Sequence, residues 1–334
     1  MQGFFIMNLP KISFKSMNSL ARVVPAIQNQ KPNMYRQIRR GDYMTYYQFV
    51  QAVEAKMKEV ISEDVTLGIY SAEKNNGVKR QGITIAQKGI NISPTIYLEE
   101  YYEKYVNGCQ VEKIVNDILE LYYEERLQKS WDEEKISSYE SMKEKVVYRL
   151  VNYDANRNLL KEVPHVPYLD LAIVFYVMLE INDHGTACML IRNEHLSMWK
   201  VTQSDIYKKA KENTWKLLPS EFHTMRAMME GYNKNGTYTG MDILHVLTNR
   251  IRSFGAATIL YEGVLEMIGD FLNDNYYVLP SSVHEVIIVS EAEAPWGGSG
   301  LSDMVREINH TQVDDEDILS DTAYYYDREK KKLL

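Results

Sequence analysis

The sequence predicts an α+β protein, with a helix, a β-hairpin and further helices in its N-terminal part and a mixed β-sheet with helices in its C-terminal part. Apolar residues recur at helical spacing between Phe49 and Ile61, which predicts an amphipathic helix with one buried face. An Asn-Asn-Gly turn at 75–77 separates two runs of alternating apolar residues and supplies the positive φ values of a tight hairpin. Leu171–Leu179 is an almost continuous apolar and β-branched run, typical of a strand covered on both faces.

The remaining N-terminal elements are predicted as helices by the same criterion. Helical periodicity covers three further stretches, residues 98–106, 111–122 and 142–150. Pro164 and Pro167 then interrupt any regular element. We therefore predict an N-terminal α+β domain over residues 44–162 and a C-terminal α+β domain over residues 163–334.

Strands and helices alternate in the predicted C-terminal domain. Beyond the central strand, the pattern predicts strands near residues 187–191, 276–279, 285–289 and 323–326 and helices near residues 203–217, 264–271 and 302–309. A Gly-rich turn at 297–300 precedes the last helix. The stretches that begin at Gly185 and Gly255 align as GTACMLI and GAATILY, which suggests an internal duplication of a strand–strand–helix unit.

Composition indicates a reducing compartment and no membrane association. Only Cys109 and Cys188 occur in 334 residues, too few for a disulfide framework or a paired zinc motif. No apolar run approaches the ~20 residues that span a bilayer. Neither a phosphate-binding glycine loop nor a metal motif is found. We expect a cytoplasmic protein with no cofactor and no metal.

Residues 1–43 differ in charge from the rest of the chain. They hold seven Lys and Arg against one acid, a net charge of +6, which leaves −14 on the remainder of a chain of net charge −8. We interpret the stretch as a basic extension, translated from a mis-assigned start that precedes a native start at Met44. A nucleic-acid-binding arm and a transit peptide are the alternatives. The acidic remainder repels phosphate, so nucleic acid is disfavoured as a partner.

Four polar residues near predicted strand ends are the candidates for catalysis. His165 and Asp170 flank the entry to the central strand, where active-site residues often collect in open sheets. Ser282 and His284 place a hydroxyl near an imidazole, as a nucleophile and its base would lie. Each pair also has a structural interpretation, the first as a strand cap and the second as a turn before a strand. No catalytic motif surrounds either pair, so the structural interpretation is favoured.

Arg250 and Arg252 are the candidates for ligand binding. They form the only locally basic turn in an acidic domain, and an ordinary hairpin turn is the alternative interpretation. The acidic run Asp314–Asp317 lacks the alternating ligands and the glycine of a calcium loop, so we interpret it as a solvated charge run.

Tyrosine is the one compositional hint of function. The 25 tyrosines include doublets at 46–47, 101–102, 122–123 and 276–277 and a triplet at 324–326. Adjacent residues point to different faces, so we expect one ring of each doublet to pack and the other to reach the surface. Exposed tyrosine is enriched at interfaces, which favours a protein partner or self-association through Tyr-rich surfaces. Surplus packing aromatics are the alternative.

Several segments together resemble a known family. They are MTYYQF from residue 44, NNG from 75, NISPTIYL from 91, EVPHVPYLDLA from 162, FGAA from 254, LPSSVHEV from 279 and Asp321 with the tyrosine triplet. From Met44 to the C-terminus the chain resembles the uncharacterised domain-of-unknown-function family numbered 5688, from gut Clostridia. It is more distantly similar to the uncharacterised Bacillus family numbered 1444. Members of the first family begin at the equivalent of Met44, and the resemblance implies no activity, cofactor or catalytic residue.

Two functions follow as hypotheses. The absent motifs, the tyrosine surplus and the acidic charge favour a non-catalytic interaction or regulatory protein. The alternative is an enzyme of unrecognised type with a site near the strand ends around His165, Asp170 and His284, with Ser282 as a further candidate. Convergence of these groups on one cleft would favour the enzyme.

Overall fold

The computed structural model describes residues 6–8, 43–62, 65–88, 93–125, 136–182, 185–230, 243–294 and 297–334. Its α-helices are α1 (Tyr46–Val60), α2 (Glu99–Val106), α3 (Val111–Glu125), α4 (Tyr139–Met142), α5 (Arg157–Leu160), α6 (Asn193–Trp199), α7 (Gln203–Leu217), α8 (Met225–Glu230), α9 (Val264–Leu272) and α10 (Gly297–Gln312). Short 3₁₀ helices lie at Asn75–Gly77, Lys143–Lys145, Gly255–Leu260 and Glu291–Glu293. The interpretations of residues 1–43 fall outside the described residues, apart from Ile6–Asn8 and Tyr43.

The strands of the described residues form three sheets. They are β1 (Ile6–Asn8), β2 (Val65–Glu73), β3 (Lys79–Gln87), β4 (Thr95–Tyr97), β5 (Val146–Asn152), β6 (His165–Tyr168), β7 (Leu171–Asn182), β8 (Gly185–Leu190), β9 (Ser220–Thr224), β10 (Leu244–Asn249), β11 (Tyr276–Leu279), β12 (Val286–Ser290), β13 (Tyr324–Asp327) and β14 (Lys332–Leu333). Every described pairing is antiparallel. The C-terminal part therefore holds antiparallel sheets, and the prediction of a mixed sheet is wrong.

The hairpin sheet contains β2, β3 and β4 in that order. Its inner face, which includes Ile83 and Ile85, shares one apolar core with α1, α2 and α3. Thr45 begins α1 with a capping box, since its side chain accepts from Gln48 N while the Gln48 side chain accepts from Thr45 N. The predicted hairpin and its first helix thus have the local signals that their patterns indicate.

The second sheet is built around β7. The first half of β7 lies between β5 and β6, and its second half pairs with β8, which in turn pairs with β1. The prediction that Leu171–Leu179 is a central strand is confirmed, because this run is paired on both sides and buried on both faces. The predicted boundary assigns β5 to the N-terminal domain and β7 to the C-terminal domain, although these two strands pair with each other. The division into domains stays a prediction.

The third sheet has the order β14-β13-β11-β12-β10-β9. One face shares the largest core with α9 and the second sheet, through residues such as Tyr276, Val286 and Leu247. The other face packs against α8 and α10 in a separate core. β9 and β14 are the two outer strands of this sheet.

The stretch predicted as a helix over residues 142–150 is instead mostly strand. Helix α4 ends at Met142, and residues from Val146 onward form β5, in which Val146, Val147, Leu150 and Val151 are buried. A strand buried on both faces is continuously apolar, so its spacing can mimic a helical stripe. The β-branched residues were the signal for a strand.

The proposed duplication is not observed. Gly185–Leu190 is a strand, whereas Gly255–Leu260 is a 3₁₀ helix. The likeness of the two segments lies in small and apolar residues, which suit both a buried strand and a tightly packed helical turn. The Gly-rich segment at 297–300, predicted as a turn before the last helix, is instead the first turn of α10.

Candidate functional site

A connection between α10 and β13, residues 313–323, joins all three sheets. Asn76 at the hairpin turn donates from its amide to the carbonyls of Asp315 (2.8 Å) and Ile318 (2.7 Å). Asn152 at the end of β5 donates to Leu319 O at 3.0 Å. The chain before β12 pairs with the same connection, for Val283 N donates to Asp317 O at 2.8 Å and Leu319 N to Ser281 O at 3.1 Å. Three of the four candidate catalytic residues contact this connection, namely Asp170, Ser282 and His284.

Asp170 and His165 are separated by the turn from β6 to β7. Asp170 accepts hydrogen bonds from Ser320 Oγ at 2.7 Å and from the hydroxyl of Tyr324, so it fastens the connection to the second sheet. The imidazole of His165 lies 3.1 Å from Val163 O through Nδ1, with its ring edge-on to Tyr153. The side chain of Asp170 thus bonds to the connection and β13, whereas the His165 ring bonds to the backbone just before β6.

Ser282 and His284 are brought together with Asp317. His284 Nε2 lies 3.2 Å from Asp317 Oδ1, and Phe254 N donates to His284 Nδ1 at 3.2 Å. Ser282 Oγ accepts from the backbone N–H of His284 at 3.0 Å, and Ser282 bridges to Ile318. Both ring nitrogens of His284 are thus engaged within the fold. A general base needs a lone pair directed at its substrate, and this arrangement directs neither nitrogen at Ser282.

The neighbourhood of His284 perturbs two pKa values. Burial alone would lower the pKa of His284, but the hydrogen bond to Asp317 and its negative charge outweigh burial, so the pKa lies above the ordinary imidazole value. The N–H of Phe254 opposes this rise, because it requires an unprotonated Nδ1. Burial raises the pKa of Glu285, and a charged His284 lowers it in part.

Replacing Asp317 with Asn is expected to reverse the pH response of His284. Without the carboxylate, burial dominates and the pKa falls below the unfolded value of ~6.5. In the wild type, the stability contributed by His284 is fully present below pH ~6.5 and is lost as pH rises through the folded-state pKa. In D317N, this contribution is present above pH ~6.5 and is lost as pH falls through the lowered folded-state pKa. NMR titration of the imidazole and unfolding free energies across pH 5–8 measure both. Asp315→Asn is the control, since Asp315 is exposed; an unchanged His284 pKa in D317N would contradict the assignment.

Arg250 and Arg252 lie in the turn after β10. Arg250 N donates to Pro219 O at 2.8 Å, and Arg252 has a φ of +52° with its Nε 3.9 Å from Glu221 Oε2. The turn leads into the 3₁₀ helix rather than into a second strand. Ligand binding by these two residues stays a prediction.

The acidic run is only partly solvated. Asp314 and Asp315 are exposed, as predicted, but Glu316 accepts a bidentate ion pair from Arg80 of β3 at 2.7 and 3.0 Å. Asp317 pairs with His284 as described above. The sequence interpretation missed these contacts because the partners come from distant parts of the chain, and no local pattern links them.

An aromatic surface forms where β9, β10 and α9 meet. The rings of Phe222 and His245 stack at 5.1 Å, and Phe271 lies edge-on to both at 5.6 and 5.7 Å. Phe271 is 66% exposed and Met267, one turn earlier on α9, is 50% exposed. We call Phe222, His245, Met267 and Phe271 the aromatic surface. The helical stripe of α9 predicts its buried face, but the sequence gives no sign that its outer aromatic ring meets β9.

The tyrosine doublets divide as expected at two places. Tyr47 is 70% exposed beside the half-buried Tyr46, and Tyr123 is 58% exposed beside the buried Tyr122. In the doublet at 276–277, Tyr276 is fully buried and stacks on Tyr326 at 4.8 Å, whereas Tyr277 is only partly buried. This doublet therefore has one packed ring, but its second ring is less exposed than Tyr47 or Tyr123.

The comparisons with known proteins give a family. The family model DUF5688, a family of unknown function, matches residues 46–328. The chain belongs to this family. No curated protein and no solved structure matches it. The DUF5688 match extends from α1 into the residues after β13, so it includes the connection, the aromatic surface and all six candidate residues.

The described ranges contain neither a membrane-spanning helix nor a clustered metal site. No helix there combines the length and the apolar content needed to span a membrane. The same ranges hold no group of three or more His, Cys, Asp or Glu side chains arranged for a metal ion.

Proposed function

We propose that this DUF5688 protein is a non-catalytic interaction protein and that the aromatic surface binds its protein partner. The observation that carries the proposal is the exposure of Phe271 directly above Phe222 and His245. Exposed apolar area costs roughly 25 cal/mol per Å² relative to burial. Phe271 and Met267 are exposed beside the partly buried Phe222 and the buried His245, and such an exposed apolar site marks an interaction surface more often than a lone exposed residue does.

The geometry of the candidate catalytic groups supports the same choice over an enzyme. His284 uses both ring nitrogens within the fold, and the oxygen of Ser282 accepts a backbone N–H. Asp170 is held by Ser320 and Tyr324. Burial raises the pKa of the Cys188 thiol, which disfavours the nucleophilic thiolate. An enzyme centred on His165, Asp170 and His284 remains the alternative proposal.

We further propose a cytoplasmic location and a second, weaker candidate surface for association. Cys109 and Cys188 are free thiols, which supports placement in the reducing cytoplasm. Association through tyrosine would use Tyr47 and Tyr123, the most exposed rings of the doublets. We rank this second, because the aromatic surface joins rings from three elements.

Site-specific photo-cross-linking in the native cells tests the proposed surface. A photoreactive amino acid at Met267 is expected to give a discrete cross-linked product, whereas the same group at Val60, which is 54% exposed on α1, is not. Phe271→Ser is expected to reduce the Met267 product at least about tenfold, because an aromatic residue that acts as an interface hot spot contributes about 2 kcal/mol or more. Because Phe271 is exposed, we expect the Phe271→Ser variant to fold as the wild type does. Its thermal unfolding midpoint checks this. No product at Met267, or equal products at both positions, contradicts the proposal.

A further inference from the structure

β9 ends its sheet beside the aromatic surface. It pairs with β10 on one side, and among the described residues no strand pairs with its other edge. An exposed strand edge presents backbone N–H and C=O groups that can pair with another strand. Because Phe222 belongs both to β9 and to the aromatic surface, a strand added at this edge would lie next to that surface.

The sequence of β9 is complementary to itself in one register. When two copies pair antiparallel about a two-fold axis at Phe222, all five residues Ser220–Thr224 overlap, and Glu221 of each copy faces His223 of the other. Moving the axis to Glu221 or to His223 leaves only three residues in overlap and places that ionisable residue, instead of Phe222, opposite its own copy. Like charges directly opposite each other destabilise a sheet, so a Glu221 pair is disfavoured. The fully overlapping register is therefore also the charge-complementary one.

The same register adds apolar contact. Side chains alternate along a strand, so Phe222 lies on one face of the sheet and Glu221 and His223 lie on the other. Phe222 is opposite Leu247 on β10, which faces the largest core. Pairing at Phe222 would thus bring the two aromatic surfaces side by side on one face while the Glu–His contacts form on the opposite face.

We infer that the partner of the aromatic surface is a second copy of this chain, joined by antiparallel pairing of β9 with β9 about a two-fold axis at Phe222. This inference rests on the proposed function and adds the identity of the partner. A closed two-fold interface of this kind uses the same surface on both copies and ends at the dimer.

The inference is tested by size exclusion with light scattering. The purified full chain is measured over a series of concentrations. The wild type is expected to be a dimer in the micromolar range. His223→Glu places two glutamates opposite each other in both symmetric contacts and is expected to raise the dissociation constant about tenfold. The double variant Glu221→Lys with His223→Glu restores opposite charges and is expected to return within about threefold of the wild type. Thermal midpoints of all three proteins check the fold.

Each outcome decides between the inference and the broader proposal. A wild type that stays monomeric at about 100 μM, or a dimer that H223E leaves unchanged, overturns the β9 pairing. If a monomeric wild type still gives a Phe271-dependent cross-link from Met267 to a different protein, only the identity of the partner is wrong. Failure of the double variant to recover association, with its fold intact, also overturns the register.

Discussion

Gly255→Ala is expected to lower the free energy of unfolding by about 3 kcal/mol. A Cβ atom at this position would lie 2.2 Å from Thr248 Oγ1 and 2.6 Å from both Asn249 N and His284 O. Two of these are backbone atoms of packed segments, so relief requires the chain before β12 to separate from β10. Overpacking of this kind commonly costs 1–3 kcal/mol and more where backbone must move. Urea unfolding of the variant and the wild type measures the change.

Gly298→Ala is the matched control. Its Cβ would meet only the ring edge of Tyr277, at 3.3 Å, and the residue lies in the first turn of α10. Alanine favours a helix over glycine by about 1 kcal/mol, so this variant should be as stable as the wild type or slightly more so. A loss below 1 kcal/mol in G255A would mean that the two segments separate easily, contrary to the packing described here.

The close approach at Gly255 also fixes the environment of His284. Gly255 N and Thr248 Oγ1 both donate to His284 O, at 2.9 and 2.8 Å. Phe254, with a φ of +51°, directs its N–H at the imidazole. G255A should therefore disturb the His284 resonances as well as the stability, which links the fold at this point to the candidate site.

The sequence predicts those elements whose signals are local. The Asn-Asn-Gly turn requires positive φ, and Asn76 and Gly77 have φ values of +59° and +71°. The helix predicted after Thr202 begins there because of a capping box. The Thr202 hydroxyl accepts a hydrogen bond from Asp205 N, and the Asp205 carboxylate accepts one from Thr202 N. Such signals are contained within a few residues, so a single sequence is enough to find them.

The site depends on contacts that no local pattern contains. Ser282 and His284 were found from their proximity in sequence, but Asp317, the partner that occupies the imidazole, lies 33 residues later. Arg80 and Glu316 are 236 residues apart, and Phe222 and Phe271 meet from a strand and a helix with no common motif. Only long-range packing decides which residues lie against an exposed aromatic ring. The aromatic surface could therefore not be predicted from the sequence.

Asn76→Ala is expected to cost about 4 kcal/mol of unfolding free energy. The Asn76 amide donates to two carbonyls of the connection, Asp315 O and Ile318 O, and accepts from Asn156 Nδ2 at 2.9 Å. Each hydrogen bond contributes about 1 kcal/mol. A left-handed conformation at φ +59° adds about 1 kcal/mol of strain for alanine, which lacks the local hydrogen bonding of asparagine. Denaturant unfolding gives the total.

Asn76→Gly separates the two causes. Glycine accepts the left-handed conformation without strain but makes none of the side-chain hydrogen bonds, so it should be about 1 kcal/mol more stable than alanine at this position. Asn107→Ala is the control for loss of an asparagine, since the Asn107 amide donates to Glu103 O at the end of its own helix and, among the described residues, to no distant segment. If N76A loses no more stability than N107A, the hairpin turn does not hold the connection in place. The three sheets would then be joined by their apolar cores alone, and the connection would be free to carry a different role.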